Sequence, residues 1–193
     1  MGLIKTGIYG GTFAPVHNGH IRVAIETLEQ MGLDSIIFVP NYIPPHKKMS
    51  GLKTEDRVRM LELATERFEQ FVISDIEIVR QCISYTYDTV IEFKKKFTDR
   101  EFYFIIGEDS YYDFETWHRF RELMNEIKFV VYPRHKSYNS LHDIFDDYEG
   151  KFFLIEAPVI DISSSEIRKK MSRGRSIALL VDDKVEEYIK NIK

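Results

Sequence analysis

Cys82 is the only cysteine among 193 residues, so neither an intrachain disulfide nor a cysteine-rich metal site is open to the chain. No apolar run approaches the roughly 20 residues that cross a bilayer. The start, MGLIKTGIYGG, is too short and too glycine-rich for a secretory signal, so a cytoplasmic protein without membrane partners is expected. An excess of positive charge is missing as well. Lys+Arg is 27 against 31 for Asp+Glu, a net charge of −4, which excludes a nucleic-acid binder that works by bulk charge. An aromatic-basic strand motif for nucleic acid is also absent. Repeats and low-complexity segments are lacking. What remains is 44% hydrophobic and 30% charged, the composition of a folded chain long enough for its own core. One domain over residues 1–193 is expected, with a helical tail from about residue 175, after Gly174.

One further absence is local. From Met1 to Ile25 there is no Asp or Glu, while Lys5, His17, His20 and Arg22 fall in that stretch. Cationic clusters recur at Lys47, Lys48 and Lys53 and at Arg168, Lys169, Lys170, Arg173 and Arg175, whereas Asp143, Asp146, Asp147 and Glu149 gather elsewhere. Charge alone leaves two readings open: chance clustering on solvated faces, or a field focused on an anionic ligand.

Hydrophobic patterning predicts a strand at Leu3–Tyr9 ended by Gly10-Gly11, then a helix with Asn18 as N-cap and Ile21, Ala24, Ile25, Leu28 and Met31 on one face. Gly32 is its stop. Strands follow at Ser35–Val39, over Phe71–Ile78 in one or two segments, and at Glu101–Ile106, Phe129–Tyr132 and Phe152–Ile155. Helices are predicted from Thr54, with Val58, Leu61 and Phe68 inward, and at Thr86–Phe97, up to Glu126, at Ser140–Tyr148, at Ser164–Met171 and at Lys184–Ile192. This alternation predicts an α/β fold with a doubly wound parallel sheet. Ligands of such sheets bind beyond the carboxyl ends of the strands.

The first of those loops is Gly10-Gly11-Thr12-Phe13-Ala14-Pro15-Val16-His17-Asn18-Gly19-His20. Its glycines let backbone N–H groups approach an anion, and a helix N-terminus adds unpaired N–H groups and a positive dipole end. His17 and His20, three apart, share the first turn. The spacing matches neither the dinucleotide fingerprint nor a Walker A loop, and no third ligand nearby supports zinc. A second run, Ile162-Ser163-Ser164-Ser165-Glu166-Ile167-Arg168, places serines at a helix start and an arginine one turn inside, able to grip phosphate.

GGTFAPVHNGH resembles the GGTFDPxHxGH signature of the HxGH-motif nucleotidyltransferases, and Ile162–Arg168 resembles their Ile-Ser-Ser-Ser/Thr-x-x-Arg run. Three intermediate segments, Pro40-Asn41-Tyr42-Ile43-Pro44-Pro45-His46-Lys47, Ser84-Tyr85-Thr86-Tyr87-Asp88-Thr89 and Ile106-Gly107-Glu108-Asp109-Ser110 with Phe114 and Trp117, resemble segments of the nicotinate-nucleotide adenylyltransferases. The resemblance runs from Ile8 to about Ile189. It implies a Rossmann-like nucleotidyltransferase fold and the reaction of nicotinate mononucleotide with ATP to give deamido-NAD and pyrophosphate, with NAD or deamido-NAD as product, not cofactor. Nicotinamide mononucleotide and pantetheine phosphate are the alternative acceptors, and a non-catalytic nucleotide-binding module is the alternative of another class.

The same resemblance implies roles. His17, His20, Lys47 and Arg168 are the catalytic residues, in contact with phosphates. Gly10, Gly11, Thr12, Phe13, Gly107, Asp109, Ile162, Ser163 and Ser164 join them around ATP, with Asp109 on the ribose. Lys47, Tyr85, Thr86, Trp117 and Arg134 surround nicotinate mononucleotide, Trp117 stacking on its ring. Mg²⁺ is expected to enter bound to the ATP phosphates, with no dedicated protein ligand. Two departures from the pattern stand out: Ala14 replaces the usual Asp, and Arg80-Gln81-Cys82-Ile83 lacks the glycine expected before Ser84-Tyr85-Thr86.

Overall fold

Residues 2–43, 51–133, 149–158 and 160–192 are described by a computed structural model. Six strands, β1 (Ile4–Gly11), β2 (Ser35–Pro40), β3 (Phe71–Ile73), β4 (Arg100–Gly107), β5 (Lys128–Tyr132) and β6 (Phe152–Leu154), form one sheet in the order β3-β2-β1-β4-β5-β6. Every neighbouring pair is parallel, so each step from strand to strand needs a crossover. The helices that follow are α1 (Asn18–Gln30), α2 (Thr54–Thr65), α3 (Ile76–Arg80), α4 (Thr86–Lys96), α5 (Glu108–Tyr112), α6 (Phe120–Glu126), α7 (Ser164–Ser172) and α8 (Asp183–Asn191). The doubly wound fold expected from the sequence is therefore present. None of the described helices is long and apolar enough to cross a membrane.

The strands are apolar on both faces because both are covered. Tyr9, Ile36, Phe38, Tyr103, Ile105 and Val130 point to one core, with Val23 and Ala24 of α1, Met60 and Leu61 of α2, Ile167 of α7 and Val185 and Ile189 of α8. Their immediate neighbours along the strands, Ile8, Ile37, Phe104, Phe129 and Val131, point to the other core, with Phe93 of α4 and Leu123 and Met124 of α6. The sheet grows from β1 first through β2 and β3, then on the opposite side through β4. The switch point lies where β1 and β4 end, at Gly10-Gly11 and Gly107.

Three local expectations are corrected. Residues 76–80 form helix α3, not strand: the alternation of Ile76-Glu77-Ile78-Val79 reads as period two, yet Ile76 and Glu77 are both buried and Val79 is 70% exposed. The inward face of α2 is Arg57, Met60, Leu61 and Ala64, the i, i+3, i+4, i+7 set, while Val58 is half-buried and Phe68 lies past the helix. The N-cap of α1 is His17, not Asn18. Gly32, at φ +58, follows α1 in the left-handed conformation that the expected stop requires. The helix expected at residues 140–148 lies outside the described residues.

Candidate active site

The loop between β1 and α1 is held from three directions. From α2, the Arg57 guanidinium donates to Thr12 O at 2.8 Å and Asn41 O at 2.7 Å, with Thr54 Oγ1 at 3.2 Å. Asn41 Nδ2 donates to Thr12 Oγ1 at 3.3 Å, and Asn41 N to Gly11 O at 3.0 Å. From α7, Arg168 Nη1 donates to Ala14 O at 2.6 Å and Ser164 Oγ to Pro15 O at 2.9 Å. From residues 179–181, carbonyls accept from Asn18: its N reaches Leu180 O at 2.9 Å, and its Nδ2 reaches Leu179 O at 2.8 Å. The two signatures, about 145 residues apart in sequence, thus meet through hydrogen bonds.

His17 and His20 lie ring against ring, centroids 3.6 Å apart and planes at 31°. His17 N donates to His20 Nδ1 at 3.2 Å. A bond accepted at Nδ1 leaves Nε2 as the protonated nitrogen of a neutral ring. Helix α1 has no acid in its first turn, so nothing there offsets its positive end. Gly19 is dictated by close approach: a Cβ would sit 2.9 Å from His17 Nδ1. Phe13 takes φ +46 and is 1% exposed, with its ring 5.1 Å from that of His20 and 5.7 Å from that of Tyr9. Left-handed backbone at a large residue is strained, and such strain gathers at functional sites.

Beside the histidines lies a solvent-open cleft lined among others by Tyr9, His17, His20, Tyr132 and Ile162. Ser163 caps α7 by accepting from Glu166 N at 3.1 Å, and the second Arg168 nitrogen, Nη2, donates to Ser165 Oγ at 3.0 Å. Gly107 is the N-cap of α5, and Asp109 is exposed on that helix.

A second cluster sits on the other face of the sheet. Trp117, half-buried, meets Phe114 at 5.1 Å and Phe104 at 6.2 Å. Tyr85, the N-cap of α4, stacks on His118 at 4.3 Å, and Thr86 begins that helix. Ser84 N donates to Ile43 O at 3.0 Å, and Ser84 Oγ accepts from Tyr42 N at 3.0 Å. Lys47 and Arg134 lie outside the described residues.

Both departures from the sequence pattern have a structural counterpart. Ala14 is 1% exposed and contributes its carbonyl to Arg168. In the segment short of a glycine, Gln81 takes φ +52 as the C-cap of α3, a conformation that costs a residue with a Cβ about 1 kcal/mol. Gln81→Gly is accordingly expected to raise stability by about 0.5–1 kcal/mol in urea unfolding, and no gain would show that the Gln81 side chain makes up the difference.

Sequence reasoning missed Arg57. Its signal was an arginine in phase with the apolar stripe of α2. It also missed Glu77, and it gave no role to Ser84 and Thr89 at the two ends of the quoted Ser84–Thr89 segment; all three are buried.

Residues 8–170 match the Cytidylyltransferase-like family. A probable nicotinate-nucleotide adenylyltransferase of Exiguobacterium sibiricum is 35% identical over 186 residues, covering 96% of both chains. One from Clostridium botulinum is 37% identical over 195 residues, covering 97% of this chain and 96% of that one. Among solved structures, the nicotinic acid mononucleotide adenylyltransferase of Plasmodium falciparum complexed with NaAD superposes with a TM-score of 0.79 over 97% of this chain and 95% of that one, at 23% identity.

Proposed function

Because the chain belongs to the cytidylyltransferase-like family, among its nicotinate-nucleotide adenylyltransferases, we propose that it transfers the adenylyl group of ATP to nicotinate mononucleotide. The acceptor's phosphate oxygen attacks the α-phosphorus in line. A new P–O bond forms, the bond to pyrophosphate breaks, and deamido-NAD and pyrophosphate leave. The attacking oxygen is already anionic, so no general base is required. Positioning and neutralisation of charge carry the catalysis.

The observation that supports this most is the anchoring of Arg168 and Ser164 under the His17–His20 loop. It brings a guanidinium, two imidazoles and a helix N-terminus to one loop, a set of groups suited to an anionic ligand. His17, His20 and Arg168 would hold the triphosphate, and Lys47 would assist. Gly10, Gly11, Thr12 and Phe13 would present backbone to it. Ile162 and Ser163 would flank ATP, with Gly107 and Asp109 on the adenosine side. Tyr85, Thr86, Trp117 and Arg134 would take the nicotinate end, where backbone N–H groups suit a carboxylate better than a carboxamide. Among the described residues no group of three His, Cys, Asp or Glu is placed to hold a metal. Mg²⁺ would enter as the companion of the ATP phosphates, where it would offset their charge. Residues 175–193 belong to the same working unit, as the bonds from Asn18 to residues 179–181 support.

Pyrophosphate release measured with nicotinate mononucleotide, nicotinamide mononucleotide and pantetheine phosphate tests this. The first should turn over with the highest kcat/KM. Preference for another acceptor would reassign the substrate, and ATP binding without pyrophosphate from any acceptor would leave a nucleotide-binding module. Trp117 is the only tryptophan, so nicotinate mononucleotide should quench its fluorescence at lower concentration than the amide. No change with either ligand would place Trp117 in the core alone.

A further inference from the structure

Glu77 is a carboxyl group only 6% exposed. It sits in α3, below the loop that carries Tyr85 and Thr86. Thr89 Oγ1 donates to Glu77 Oε1 at 2.6 Å, and Glu77 also shares a hydrogen bond with the Ser84 side chain. Both hydroxyls are themselves buried, Ser84 at 7% and Thr89 at 0% exposure. The hydroxyl of Ser84 accepts from Tyr42 N at 3.0 Å, while Ser84 N donates to Ile43 O at 3.0 Å. Thr89 N donates to Tyr85 O at 3.2 Å, and the Thr89 hydroxyl lies 3.3 Å from that carbonyl. Arg80 Nη2 donates to Thr89 Oγ1 at 3.0 Å. One carboxyl group therefore anchors two segments: residues 42–43 beyond β2, and the first turn of α4.

We propose that Glu77 is a positioning residue for the acceptor: through Ser84 and Thr89 it fixes the separation and orientation of the 42–43 and 85–86 segments, between which the nicotinate end of the mononucleotide binds. This rests on the adenylyltransferase reading and names the residue that shapes its acceptor side. A buried carboxyl group is costly unless every hydrogen bond is made, and in this one each bond falls on the same two segments. Burial pushes its pKa up, and the hydroxyls of Thr89 and Ser84 together with Arg80 oppose that, while Glu92 adds to it. None of the bonds that hold the first loop to α2 and α7 involves Glu77, so its removal should leave the ATP side largely intact.

Steady-state kinetics of Glu77→Ala, Glu77→Gln and Thr89→Val test this, with thermal unfolding alongside. In Glu77→Ala the KM for the acceptor should rise tenfold or more, with the KM for ATP within twofold and kcat within threefold. Glu77→Gln keeps an oxygen for one hydroxyl and should recover part of the loss. Thr89→Val, nearly isosteric, should reproduce part of it and serves if Glu77→Ala does not fold. An unchanged acceptor KM, or ATP and acceptor KM rising together, would overturn the proposal. Titration of Trp117 fluorescence with mononucleotide reads acceptor binding without turnover. If the wild type releases no pyrophosphate from nicotinate mononucleotide, the functional reading fails on that result alone. The effect of Glu77→Ala on binding of the mononucleotide that does quench still decides the positioning role.

Discussion

His20→Ala should lower kcat/KM for pyrophosphate release by about 100- to 1,000-fold, the loss of one donor aimed at developing charge. The helix start dictates the donor. With Nδ1 committed to His17 N, the remaining nitrogen carries the hydrogen, and His20 lines the cleft that Ile162 and Tyr9 also line. The cost to the fold should be small by comparison. The lost bond is one helix-start hydrogen bond, worth about 0.5–2 kcal/mol, or a few degrees in Tm for a chain of this size. His20→Asn separates the two effects, because its side-chain oxygen can still accept from His17 N: stability should recover and activity should not. A loss of only two- or threefold, under about 0.7 kcal/mol, would remove His20 from the transition state.

Arg57→Met should destabilise the protein by about 3–5 kcal/mol, because two buried carbonyls lose their donor at about 1–3 kcal/mol each. Arg57 is 2% exposed. It faces no carboxylate partner in a salt bridge among the described residues; its donors go to the carbonyls of Thr12 and Asn41 and to side-chain oxygens of Thr54 and Asn41. Methionine fills much of the volume but strands those carbonyls away from water. Burial holds the guanidinium below its ordinary pKa, and Glu55 partly counters this. Lysine would not substitute, since an ammonium cannot span both carbonyls with a planar fork. Tm should fall by about 6–15 °C, and the surviving fraction should bind ATP weakly because the ends of β1 and β2 are no longer pinned. A Tm within about 2 °C of wild type would show that water replaces the guanidinium at little cost.

Much of the fold was legible in sequence because its signals are local. Ile36–Val39 and Phe102–Ile106 read as strands from unbroken apolar runs, and Gly32 marked the end of α1. The first loop and Ile162–Arg168 were legible as a pair because each resembles a signature that needs the other. Arg57 was not, since an arginine in a helix reads as solvent-facing until neighbouring chain supplies carbonyls for it. His17 was passed over as N-cap for Asn18, a better intrinsic capper, whose side chain instead serves residues 179 and 181. The group of Glu77, Ser84 and Thr89 was invisible for a related reason: three polar residues look exposed one at a time, and only the return of α4 over α3 buries them together.

In the loop from Ala14 to Asn18, Ala14, Pro15 and Asn18 find hydrogen-bond partners 149 to 163 positions further along the chain. A growing polypeptide therefore cannot complete this loop early. On the ribosome, β1, α1 and β2 emerge with apolar faces that can begin to pair, but Ala14 O, Pro15 O and the Asn18 amide stay hydrated until α7 and residues 179–181 have been translated and have left the exit tunnel. Catalytic competence should thus arise in one step, once residue 181 has left the exit tunnel, and nascent chains arrested before residue 164 should hold a partial sheet without the ability to grip a triphosphate.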